Sequence, residues 1–127
     1  MAITTNTTFK NTILDGFDTA FNSGTLEIRT GSAPGAGNSA TGTVLATITL
    51  PADAFAAASG GTKAKSGTWN DTSADATGTA GHWRMTGGSN IVEGTVTATS
   101  GGGDMELDST SITSGQTVTI TAFTFSV

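Results

Sequence analysis

Two hydrophobic rhythms divide the chain. In "NTILDGFDTAFNSG", residues 11 to 24, the apolar residues Ile13, Leu14, Phe17, Ala20 and Phe21 recur at the three-to-four spacing of one helical face. This predicts a short helix lying along a sheet. Asn11 or Thr12 is placed to cap its start and Gly24 to end it in the left-handed conformation, while Gly16 weakens it. From Thr25 onward the period is two. "TLEIRT" sends Leu26 and Ile28 to one face and Glu27 and Arg29 to the other, and "TVLATITL" aligns Val44, Ala46, Ile48 and Leu50 before Pro51 ends the run. Further strands are predicted at 62–69, 82–86, 91–99, 105–108 and 116–127. In the last, the apolar positions Val118, Ile120 and Ala122 change parity to Phe123, Phe125 and Val127, which asks for a bulge or for burial on both faces.

Between the strands lie "GSAPGAGNSATG" (31–42) and "NDTSADATGTAG" (70–81). Each is about a dozen residues, a length at which a loop inside a domain usually serves a function or is ordered by something packed on it. "TSGGGD" and "TGGSN" read as turns. Short strands separated by turn signals, with one helix at the start, predict an all-β fold: an antiparallel, jelly-roll-like β-sandwich with one short N-terminal helix. Residues 10–127 are expected to form a single sandwich domain behind an N-terminal arm, residues 1–9.

Composition narrows the chemistry. Charged residues make up 12% of the 127 positions, and the net charge is −5. The basic residues Lys10, Arg29, Lys63, Lys65 and Arg84 form no stripe, which excludes phosphate-driven binding of nucleic acid. Lys63 and Lys65 share one face of a strand and are expected on a solvated edge. Without cysteine there is no disulfide framework, thiolate nucleophile or sulfur-ligated zinc. No stretch is long and apolar enough for a membrane helix, and "MAITTNTTFK" lacks the regions of a signal peptide, so synthesis in the cytoplasm without membrane association is expected.

The candidate sites are few. His82 is the chain's one histidine, followed directly by Trp83 and Arg84 in "GHWRM", with no nucleophile motif nearby; it reads as a strand residue, not a catalytic base. Alternation places Trp83 and Met85 in the core and turns His82 and Arg84 to an exposed face or an interface. "DTSADATG" opens like a calcium loop at Asp71, Ser73 and Asp75, but Ala76 stands where glycine is needed and His82 where the closing glutamate is needed. Asp104, Glu106 and Asp108 read as the solvated face of a strand whose Met105 and Leu107 point inward. Trp69 and Trp83 are candidates for a sugar-stacking platform, though the area each ring buries favours the core. No catalytic residue, metal or cofactor is expected.

From Gly24 onward the chain resembles a family of small tailed-phage virion structural proteins. Four phrases carry the resemblance: "GTLEIRTGSAP", "GTVLATITLPADAF", "DTSADATGTAGHWRM" and "GGGDMELDSTSITSGQTVTITAFTF". It implies a non-enzymatic virion component with a capsid decoration (cement) role, made in the host cytoplasm, with the major capsid protein and further copies of itself as partners. The alternative is a tail- or spike-associated module touching host glycan. The uncharged last strand, with an edge that needs cover, agrees with assembly. So does the threonine-rich arm carrying Ile3. The expected interface residues are Ile3, Phe9, Arg29, His82 and Arg84.

Overall fold

The computed structural model describes residues 3–126. Its helical segment begins earlier than the periodicity implies. Asn6 is the N-cap, its side chain accepting from Phe9 N–H at 2.9 Å, so α1 covers Thr7–Leu14 and takes in Phe9 from the expected arm. Residues 1 and 2 of that arm lie outside the described residues. The helix breaks at Asp15 and resumes as α2 (Gly16–Phe21). Leu14 and Phe21 are buried and Phe17 and Ala20 pack against the core, as the apolar face requires, but Ile13 points outward and is 45% exposed.

Among the described residues ten strands follow: β1 (Thr25–Arg29), β2 (Val44–Thr49), β3 (Thr62–Ala64), β4 (Asn70–Asp71), β5 (Gly78–Thr79), β6 (His82–Gly87), β7 (Asn90–Ala98), β8 (Met105–Leu107), β9 (Ser111–Ile112) and β10 (Val118–Ser126). The protein is mostly β, built as a curled sheet in the order β2-β1-β6-β7-β8-β10-β3, with β4 also on β10 and a separate β5-β9 pair. The two-residue strands β4 and β5 fall in the stretch 70–81 that reads as a loop, and β9 falls between the strands expected at 105–108 and 116–127; all three are too short to show a period.

The expectation of a purely antiparallel sheet is corrected: β7 and β8 run parallel. Parallel neighbours normally need a long crossover, yet here only residues 99–104 connect them. Glycine makes this return feasible. A Cβ on Gly101 or Gly103 would stand within 2.9 Å of Thr97 side-chain atoms, and Glu106 accepts from the N–H groups of Ser100 and Gly102. The "TSGGGD" turn is therefore a reversal folded flat on β7.

The parity change in the last strand is a bulge between Ile120 and Ala122 against β8. That strand is not an open edge. β8 pairs with one side of β10, and β3 and β4 with the other. The cover predicted to come from other subunits is supplied by the chain itself, because three short strands divide the length of β10 between them. At the far end, Thr47 N–H of β2 donates to Asp71 Oδ2 and Asp75 N–H donates to Leu45 O, so residues 71–75 bridge the two ends of the curl.

One apolar cluster fills the interior, from Leu26 and Ile28 through Trp69, Trp83 and Met85 to Ile120 and Phe123. Trp69 and Trp83 both contact Phe123, at ring-centroid distances of 5.5 and 5.3 Å, and both are buried. Neither ring offers a stacking platform.

Candidate interaction surface

The sequence reading brings Arg29, His82 and Arg84 to one face, and the register confirms it. Arg29 lies beside His82, and Arg84 lies between Glu27 on β1 and Glu93 on β7. That face is not exposed. His82 is 1% and Arg84 6% exposed, which corrects the expected open strand face. The physical reason is the loop 31–42, which folds over it.

Arg84, Glu93, Arg29 and His82 on this face all hold the loop, and Glu27 holds Arg29. Arg84 Nη2 donates to Asn38 O (2.9 Å), and Arg84 Nη1 pairs with Glu93 Oε2 (2.8 Å). Glu93 Oε1 accepts from Gly35 N–H (3.0 Å). Arg29 pairs with Glu27 (2.9 Å) and donates to Thr41 O (3.2 Å), and His82 Nδ1 lies 2.9 Å from Gly31 O. A loop rich in glycine and alanine offers little apolar area, so charge-assisted bonds to its carbonyls and N–H groups are what fix it. Gly81 lets this happen at close quarters: a Cβ there would stand 2.2 Å from Gly31 O.

The solvated edge expected for Lys63 is likewise corrected. Lys63 is buried, and its Nζ bonds to Asp15 Oδ1 at 2.8 Å and to the Asp18 carboxylate at 3.1 Å. Asp15 also accepts from Ala58 N–H, so the break between α1 and α2 is where the helices are tied to the sheet. The Lys63 hydrogen bond, and then the one from Ala58, hold the Asp15 carboxyl below its ordinary value. Burial pulls the Lys63 ammonium down, but the two aspartates outweigh it and the net shift is upward. Lys65 stays outside, donating to Gly67 O.

The acidic groups bind the chain's own polymer. Asp71 and Asp75 hold Thr47, Asp104 accepts from Thr95, and Asp108 accepts from Ser109 N–H. Among the described residues no three potential metal ligands converge.

The exposed apolar surface gathers near the N-terminus. Among the described residues the exposed large apolar side chains are Ile3 (93%), Phe9 (54%) and Ile13 (45%). Phe9 and Ile13 are one helical turn apart and share the outer face of α1. Ile3 is exposed outside any helix or strand, and Phe9, expected in the arm, is exposed on α1 instead. Ile13 departs from the expected core face because it lies at the flank of a short apolar stripe, where a 3.6-residue period allows either side and only the neighbours decide.

No family model, curated protein or solved structure matches this chain.

Proposed function

We propose that this protein is a non-enzymatic structural component of a tailed-phage virion, a decoration (cement) protein that binds the outer surface of the head and stabilises it. The observation that carries this reading is the concentration of exposed large apolar residues in the first thirteen positions, Ile3, Phe9 and Ile13. A protein whose exposed large apolar side chains, among the described residues, are gathered in one N-terminal region is suited to attach through that region. The resemblance of the four phrases to phage virion proteins implies the surface it would attach to, the major capsid protein. The curl of the sheet, with its ends bridged by residues 71–75, supports a jelly-roll-like reading of the fold.

The test is co-sedimentation with capsids stripped of the protein, followed by electron microscopy of the particles. Wild-type protein should sediment with capsids and add density to the head. Phe9→Asp with Ile13→Asp should fold, because both side chains are solvent-facing, and should fail to sediment. Density on the tail, or none, would sink the reading.

A further inference from the structure

The sheet has a gap one strand wide. β7 runs for nine residues, but β8 covers only its last three, Val96–Ala98. On the other side β8 ends against Phe123, leaving Thr124–Ser126 of β10 beyond it. Strands next to β8 stand about 4.8 Å from it on each side, so the N-terminal half of β7 and the end of β10 face each other across about 10 Å. A cavity of about 410 Å³ occupies this space, lined by Trp83, Glu93, Gly102, Gly103, Asp104 and Phe125 among others.

Both lips present main-chain groups. Leu50 N–H bonds to Gly24 O, which fixes the β1 parity: Glu27 turns its main chain to Arg84 on β6. Arg84 and Glu93 are then a non-hydrogen-bonded pair, and Glu93 turns its N–H and C=O toward the gap. Thr95 N–H, of the same parity, reaches Asp104 Oδ2 in that direction. On β10, Thr124 N–H bonds to Asp104 O, so Ser126 turns the same way. The gap is floored by Trp83, whose indole N–H is buried and has no hydrogen-bond partner among the described residues. A buried donor without a partner at the base of a strand-shaped opening is one that an entering main-chain carbonyl would satisfy.

We propose that this gap receives the N-terminal arm of a second copy of this chain as an added strand in line with β8. Residues 3–5 lie outside any helix or strand, and Ile3 is almost fully exposed. An extended arm of three or four residues spans about 10–13 Å, the length of β7 from Ile91 to Gly94. Asp104 places a carboxylate with no cationic partner among the described residues at the opening, and no carboxylate of the sequence before Asp15 would repel it. The other long carboxylate-free loop, 31–42, is already tied down by Arg84, Arg29 and Glu93. With Ile3 turned inward over Trp83 and Phe125, Thr4 faces outward and the threonines suit the pleat. Main-chain pairing supplies the attachment, and Ile3 sets the register. This leaves Phe9 and Ile13 free, so it stands independently of any capsid.

The chain has no cysteine, so introduced thiols report without background. Thr4→Cys and Thr124→Cys, made separately, mixed and oxidised, should give a cross-linked heterodimer, and Ile3→Asp in the first variant should lower its yield at least tenfold while the circular dichroism is unchanged. A synthetic peptide of residues 1–8 should compete. The proposal is overturned by monomeric sedimentation with no cross-link. It is equally overturned by a disulfide closed within one chain in the double variant, which would mean the arm fills its own gap, or by self-association that Ile3→Asp leaves intact.

Discussion

Arg84 Nη1 and Glu93 Oε2 meet at 2.8 Å across the β6–β7 pair, both side chains almost shut off from water, and each uses its remaining capacity on the loop above: Arg84 on Asn38 O, Glu93 on Gly35 N–H. The pair is less a local ion pair than the point where the loop 31–42 is fastened. Removing one member leaves the other charge buried and uncompensated, which costs about 3–5 kcal/mol. Glu93→Ala should therefore lower unfolding stability by that amount and abolish protection of the Gly35 amide in hydrogen exchange. A loss below about 0.5 kcal/mol, the range of ordinary surface changes, would contradict the fastening.

His82 tests the same cover from its other end. As an exposed strand residue it would tolerate alanine within about 0.5 kcal/mol. Buried, and bonded through Nδ1 to Gly31 O, it should not. His82→Ala opens space beneath the loop and strips a carbonyl of its partner, so a loss of about 1–3 kcal/mol is expected in urea titration.

Lys63 gives the protein a defined pH window. The Asp15 carboxyl is lowered from its ordinary 3.8, so its stabilising contribution is present above that value and is lost as pH falls through the lowered one. The Lys63 ammonium is raised from 10.5, so its contribution is present below that value and is lost as pH rises through the raised one. The Tm difference between wild type and Lys63→Met should accordingly be flat from about pH 5 to 9 and narrow at both extremes. Because Lys63 is enclosed while both aspartates are about half exposed, Asp15→Asn with Asp18→Asn should lower Tm more than Lys63→Met does. Water can rehydrate the carboxylates but not the ammonium.

These residues also show how far the sequence was legible. Period-two runs located β1, β2, β6, β7, β8 and β10, because half-buried strands select alternation directly, and the parity change in β10 marked its bulge. The charged residues were misplaced for one shared reason. His82, Arg84 and Lys63 are buried by segments far away in sequence, the loop 31–42 and the α1–α2 junction, neither of which has a period that says where it will lie. Alternation states which side of a strand a residue faces; it does not state what covers that side. The long loop asked for a reason, and the reason is Arg29, His82, Arg84 and Glu93 beneath it. The gap between β7 and β10 was invisible for a related cause: it exists because β8 is shorter than its neighbours and runs parallel to β7.

Gly94 is the residue on which that gap depends. It sits opposite Trp83 in the β6–β7 register, and a Cβ there would stand 2.8 Å from Trp83 Cζ2 and Nε1 and 2.9 Å from Asp104 Oδ2. The bare backbone is what lets the indole lie across β7 and form the floor of the opening. Gly94→Ala forces the ring or Asp104 aside in a packed interior, an overpacking expected to cost about 1–3 kcal/mol and to alter the near-ultraviolet circular dichroism of the tryptophans. Gly37→Ala is the matched control: nothing lies within 4 Å of its Cβ position and its backbone is not left-handed, so it should change stability by less than about 0.5 kcal/mol. If Gly94→Ala melts with the control and keeps the wild-type dichroism, the indole does not rest against Gly94, and the floor of the gap is not Trp83.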